Sequence, residues 1–355
     1  MSKKYKVGVV GLGGIYKAVH EAAWMDQEHA EIVAVSDVRE DRAKETAERL
    51  GIERYYTDYE QMLTDGGFDI VAVCTPNLYH SKVSVAALKA GYHVFCEKPD
   101  AVTVEEALKM KAAAEESGKL LMTMRNNRFN PYIQFLKQFA DEGKLGEVYT
   151  GRCGWVRRRG IPGKGGWFTT KELSGGGPLI DLGVHMIDVA TWIMGNPKPV
   201  AVSGATYRKF ANNQISDSVH SQFGDRQADD VFDVEDLATG FIRFDNGVTL
   251  QIEFSWASNI GEETNFVELR GTKAGACFKA GGLEIFTETA GQLVDLKPVI
   301  RHAATVKPHA ENIKHFINCL NGKATPTITP EHGVDMIRIL TAIYQSAQLG
   351  REVQV

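Results

Sequence analysis

A chain of 355 residues suits two domains better than one, since single cores usually stop growing well below that size. With 43% hydrophobic and 24% charged residues it has the composition of a folded globular protein. Its formal net charge of −5 gives no electrostatic reason to bind nucleic acid, and the run Arg157-Arg158-Arg159 is too short to change that.

Met1-Ser2-Lys3-Lys4 passes directly into an apolar run, which leaves no room for a signal peptide. No apolar stretch is long enough to cross a bilayer, so a cytoplasmic location without a membrane partner is expected. Cys74, Cys96, Cys153, Cys277 and Cys319 are odd in number and lack a Cys-x-x-Cys spacing. Neither a disulfide framework nor a metal site is expected.

The first third predicts strands at Tyr5–Val10, Glu31–Ser36, Phe68–Cys74, His93–Cys96 and Leu120–Met124. Helices fall between them: Asp41–Leu50 stops at Gly51, Leu78–Ala90 at Gly91, and a helix capped by Thr103-Val104-Glu105-Glu106 at Gly118. Strand–helix alternation at this spacing predicts a doubly wound parallel sheet, an α/β domain over residues 1–125. After Asn126 the rhythm changes. A helix at Pro131–Glu142 and a strand at Val148–Val156 lead to the glycine-rich segment Gly160–Gly177, then a long helix from Pro178. Beyond Pro199 strands dominate, with Asp245-Asn246-Gly247 marking a hairpin between Leu237–Phe244 and Val248–Trp256. Strands Phe266–Arg270, Ala276–Lys279 and Leu283–Thr287 follow, then helices Ala310–Asn321 and Glu331–Leu349. Residues 126–355 are therefore expected to form one α+β domain with a large, mostly antiparallel open sheet.

Gly11-Leu12-Gly13-Gly14-Ile15-Tyr16 follows the first strand and opens a helix. Its glycines permit a tight turn and let backbone N–H groups approach a pyrophosphate. Tyr16 stands where a third glycine is usual, which points to looser helix–strand packing. Asp37 ends the second strand, 21 residues beyond Tyr16, where a carboxylate can accept from ribose hydroxyls and repel a 2′-phosphate. NAD is the expected cofactor, with NADP possible because Arg39 could reach a phosphate or stack on adenine.

Hydride transfer between an alcohol and a nicotinamide needs a titratable group beside the reacting oxygen. Two segments offer one. In Glu97-Lys98-Pro99, at the C-terminal end of a strand, Lys98 could stabilise a developing alkoxide. In Gly175-Gly176-Gly177 through Trp192, an otherwise apolar helix carries Asp181, His185 and Asp188 at steps of four and three, on one stripe. His185 is the natural acid/base and Asp181 its partner, with the glycines letting backbone approach the nicotinamide; Asp188 is either a supporting or a structural group. The segment Arg157 to Phe168 reads as a substrate-facing loop, with Arg157 binding hydroxyls or carboxylates and Trp167 stacking on a sugar face, or else as a solvated surface loop.

Together these segments resemble the glucose–fructose oxidoreductase, inositol dehydrogenase and MocA family. The likeness adds Cys74-Thr75-Pro76-Asn77-Leu78-Tyr79-His80, Asn127-Arg128-Phe129 and Ile343-Tyr344-Gln345-Ser346-Ala347, and covers most of the chain. It implies oxidation or reduction of a sugar, polyol or derivative by the trio Lys98, Asp181 and His185. It also implies a nicotinamide side lined by Thr75, Pro76, Asn77 and Glu97, with His80 either shaping a loop nearby or standing as an ordinary helix-start histidine. Arg128 joins the substrate-binding candidates. The exposed sheet face implies a homodimer or homotetramer. Two other functions stay open: glycoside hydrolysis through transient use of NAD, and a non-catalytic dinucleotide sensor.

Overall fold

A computed structural model describes residues 3–213, 215 and 231–355. Met1 and Ser2, part of the start read above as entering a strand directly, lie outside the described residues. Two units are present: Met1–Asn126 with Lys307–Ile337, and Asn127–Val306 with Arg338–Val355.

The first unit carries six parallel strands: β1 (Tyr5–Val10), β2 (Ala30–Ser36), β3 (Tyr55–Tyr56), β4 (Ile70–Val73), β5 (His93–Cys96) and β6 (Leu121–Thr123). Their order is β3-β2-β1-β4-β5-β6, the doubly wound arrangement whose strand order reverses between β1 and β4. Val7, Val9, Ile70–Val73 and Val94–Cys96 have no exposed surface, as befits strands covered on both faces. The helices are α1 (Glu21–Met25), α2 (Glu40–Leu50), α3 (Tyr59–Asp65), α4 (Asn77–Lys89) and α5 (Val104–Ser117). The expected cap is formed, with Thr103 Oγ1 accepting from Glu106 N–H, and Gly51 and Gly118 end their helices at φ 68° and 64°.

The second unit carries α6 (Pro131–Asp141), β7 (Val148–Val156), α7 (Lys171–Ser174) and α8 (Val184–Ile193). Strands β8 (Pro199–Tyr207), β9 (Leu237–Phe244), β10 (Thr249–Ser255), β11 (Thr264–Gly271), β12 (Ala274–Lys279), β13 (Gly282–Thr289) and β14 (Gln292–Leu296) follow. With β15 (Val353–Gln354) they order as β14-β13-β12-β11-β7-β10-β9-β8-β15, antiparallel except where β7 meets β10. The hairpin closes as expected, with Gly247 at φ 84°.

Two expectations are corrected. Helix α9 (Pro308–Leu320) clusters with the first unit, although the sequence groups everything after residue 125 together. It buries Phe316 against Phe95, ring centroids 5.3 Å apart, and Gln27 Nε2 donates to the Ala310 carbonyl. The helix from Pro178 is not continuous: a π-helical turn, Leu179–Gly183, precedes α8. Helix α10 (Pro330–Leu349) belongs to the first unit as far as Ile337 and to the second from Arg338.

Candidate functional site

At the reversal point of the first sheet, Gly11 adopts φ 91°, and a Cβ there would lie 2.6 Å from the Cys74 carbonyl carbon and 2.7 Å from Thr75 N. No other residue type fits that approach. Gly13, Gly14 and Ile15 continue the loop into a π-helical turn, Tyr16–His20, and Tyr16 is fully buried. The wider turn gives the bulky third position its room.

Asp37 is buried; its Oδ2 accepts from Leu12 N–H at 2.8 Å and its Oδ1 from Arg39 N–H at 3.0 Å. Each oxygen keeps a second lone pair for a ribose hydroxyl. The exposed Arg39 guanidinium pairs with Asp41 at 2.6 Å, and Arg42 lies 3.6 Å from Asp37. Thr75 Oγ1 is buried without a partner among the described residues, beside Gly11. The close-approach glycine, the acceptor and this orphaned hydroxyl fit a dinucleotide.

Pro76 and Asn77 start α4. His80, fully buried, has Nδ1 2.6 Å from the Pro99 carbonyl oxygen and Nε2 2.9 Å from that of Thr75. Burial holds its pKa below the ordinary histidine value, so the neutral ring donates to one carbonyl at a time. His80 thus bridges the loops after β4 and β5.

Lys98 is half-buried in the turn after β5, and the Lys98–Pro99 peptide is cis. Glu97 departs from expectation. It is 4% exposed, and its Oε1 lies 2.5 Å from His20 Nε2 while its Oε2 accepts from Lys98 N–H at 3.0 Å. These bonds turn it inward, where the sequence had it lining the nicotinamide side. Asp100, two residues on, pairs with Arg125.

In the second unit Asp181 falls within the π turn and His185 in the first turn of α8, both half-buried. Trp256 Nε1 donates to Asp181 Oδ2 at 3.0 Å, and the His185 ring lies 5.9 Å from that of Trp155. Arg157 is 6% exposed and stacks over Trp155 at 5.2 Å. Its Nη1 donates to the Gly160 carbonyl at 3.2 Å, but its Nε finds no partner among the described residues. Burial lowers the Arg157 pKa, opposed by the Asp181 and Glu263 charges. Trp167 stacks on Phe168 at 3.9 Å, and Phe168 meets Trp256 edge-on at 6.5 Å. An acceptor, a histidine, a guanidinium and an aromatic row therefore gather around Asp181.

The expected stripe is incomplete. Asp188 is buried and forms a two-pronged ion pair with Arg128, Nε to Oδ2 and Nη2 to Oδ1 both at 2.7 Å. Arg128, 1% exposed, therefore anchors a turn to α8 and does not present itself to a substrate. The glycines before the π turn are also reassigned, since a Cβ on Gly176 would strike the Tyr344 hydroxyl and one on Gly177 the Glu235 carbonyl. Glu235 accepts from Gly177 N–H at 2.9 Å, Leu179 N–H at 3.1 Å and the Tyr344 hydroxyl at 2.8 Å. The glycines are packing contacts that let Glu235 accept from the backbone at the start of the π turn, not an approach for the nicotinamide. Sequence reasoning missed Glu235, Trp256 and His20, none of which carries a local motif.

Among the described residues, no helix is long and apolar enough to cross a membrane, and no three His, Cys, Asp or Glu side chains group to hold a metal.

The fold and site define an NAD-binding oxidoreductase. Residues 5–124 match the oxidoreductase family with an NAD-binding Rossmann fold, and residues 133–277 match the GFO/IDH/MocA C-terminal domain. The chain belongs to this family of NAD-binding oxidoreductases. It is 36% identical to D-glucoside 3-dehydrogenase of Escherichia coli K12 over 100% of this chain and 98% of that one. It is 27% identical to myo-inositol 2-dehydrogenase of Thermotoga maritima over 99% of this chain and 98% of the relative. A solved structure of levoglucosan dehydrogenase with NADH superposes at a TM-score of 0.87 and 22% identity, covering 99% of both chains.

Proposed function

We propose that this enzyme oxidises a ring hydroxyl of a D-glucoside, or reduces the matching ketone, with Lys98, Asp181 and His185 as its catalytic groups. The observation that carries the reading is the setting of Asp181: an acceptor held by Trp256, beside a buried, under-used Arg157, one turn from His185. The full-length likeness to a D-glucoside 3-dehydrogenase supports the substrate class.

NAD supplies the hydride acceptor or donor when bound. His185 removes the hydroxyl proton and returns it in the reverse direction. Asp181 stabilises the imidazolium that forms, and Lys98 donates to the reacting oxygen as negative charge develops. Arg157 binds a neighbouring sugar oxygen through its spare N–H groups, and Trp167 offers a face to the ring. Thr75, Pro76 and Asn77 line the nicotinamide side, while Asp37 favours NAD over NADP. The nine-stranded sheet keeps Phe286 and Leu293 exposed on one face, surface that a second copy of the chain would cover in a dimer or tetramer. A monomer in light scattering at micromolar concentration contradicts that assembly.

The substrate test is NADH formation, followed by absorbance, with methyl D-glucopyranosides, D-glucose and myo-inositol. Fastest turnover is expected with a glucoside. Turnover of myo-inositol and of no glucoside overturns the substrate class.

A further inference from the structure

We propose that His20 and Glu97 form a positioning pair for Lys98, aligning it from beneath the turn; the proposal rests on reading Lys98 as a catalytic group. His20 belongs to no motif and Glu97 stands out in the sequence only beside Lys98, yet their geometry singles them out as a pair. His20 closes the π turn that follows the glycine fingerprint, and Glu97 opens the turn after β5. Their side chains are 0% and 6% exposed and meet at 2.5 Å. Phe95 lies edge-on to the His20 ring at 6.4 Å, and Trp24 and Phe316 pack on Phe95 at 5.7 and 5.3 Å.

In that apolar setting an unpaired Glu97 carboxylate would be costly and would take up a proton. His20 keeps it ionised. Burial works against a charged His20, but the Cys74 sulfur and the Glu97 carboxylate outweigh it and raise its pKa to about 10. Burial likewise pushes Glu97 up, and His20, Lys98 and His309 together hold it well below the usual carboxylate range. The groups facing the pair are thus Cys74 just after β4, His309 on α9 and Lys98 itself. Burial also drives His309 down to about 4, leaving it neutral at ordinary pH.

A buried ion pair is a weak source of stability, because well-packed apolar residues of similar volume commonly do as well. What this pair adds is the second carboxylate oxygen, which accepts the Lys98 N–H at 3.0 Å. An ionised carboxylate can satisfy both donors at once, whereas a protonated or displaced one loosens its hold on the Lys98 backbone. The two residues after Lys98 are held separately, Pro99 by His80 and Asp100 by Arg125. His20 therefore acts on Lys98 through Glu97.

The test compares wild type with His20→Leu/Glu97→Met, His20→Gln and Lys98→Ala, by hydrogen exchange at the Lys98 amide, melting temperature, NAD⁺ affinity and turnover of a methyl D-glucopyranoside. The double variant should melt within a few degrees of wild type and bind NAD⁺ normally. Its Lys98 amide should exchange about tenfold faster or more, and its kcat should fall on the order of 10- to 100-fold with KM little changed. His20→Gln, whose amide can still donate to Glu97, should recover the amide protection and most of the turnover. Wild-type exchange and turnover in the double variant overturn the proposal, as does a His20→Gln variant no better than the double. Lys98→Ala separates the two readings. If it is inactive while the double variant is normal, only the positioning role fails; if it turns over normally, the catalytic reading of Lys98 fails first.

Discussion

The Arg128–Asp188 pair of the second unit and the His20–Glu97 pair of the first are similarly buried, and each joins a cation to a carboxylate. Arg128 closes a fork on both oxygens of Asp188, beside Trp192 at 5.3 Å, and so clamps a turn onto α8. His20 engages one oxygen of Glu97, and the other reaches the backbone of Lys98. Burial and charge are shared; the use of the second oxygen is not. A closed fork serves packing, and a carboxylate divided between two donors transmits position.

The largest effect expected from this contrast is on stability. Arg128→Ala leaves the Asp188 charge uncompensated and should cost about 3–5 kcal/mol in chemical denaturation. Activity should follow the folded fraction, and a stable Arg128→Ala protein with poor turnover would break the contrast. Next comes pH. His309 is neutral in the folded chain down to about 4, against an ordinary value of 6.5. As pH falls from 6.5 to 4 the unfolded chain gains a proton that the folded chain refuses, so stability drops by up to about 3 kcal/mol. His309→Phe should flatten that acid limb. His20 has the opposite sign: its raised pKa contributes stability below 6.5 that is lost as pH climbs towards 10, and the double variant should flatten this alkaline limb. Urea titrations across both ranges read each limb, and unchanged limbs would refute the assignments. The smallest effect concerns Asp37, whose loss should weaken NAD and erode its preference over NADP by about 1.5–3 kcal/mol in calorimetry. Equal affinities before and after Asp37→Ala would contradict it.

The placement of Gly11, Gly13 and Asp37 at the reversal point of the first sheet was legible because its geometry is local, set by spacing along one strand–turn–helix and its neighbouring strand. The sheet order followed from strand–helix alternation. The region of Asp181 was legible only in part. Asp181 and His185 stood out as polar residues on an apolar helix, but the same pattern enrolled Asp188, whose partner 60 residues away made it structural. Gly176 and Gly177 looked like a cofactor approach because Glu235 and Tyr344 are remote in sequence. Arg128 was misjudged for the same reason: a loop arginine and a buried arginine look alike until the carboxylate that meets it is known.

The most direct test of the dehydrogenase account is one His185→Ala preparation, measured for melting temperature, NAD⁺ affinity and turnover of its best substrate. The variant should fold, bind NAD⁺ almost as wild type does and turn over about 10²–10⁴-fold more slowly. A folded, NAD⁺-binding variant with near-normal turnover would remove His185 from the chemistry and contradict the account.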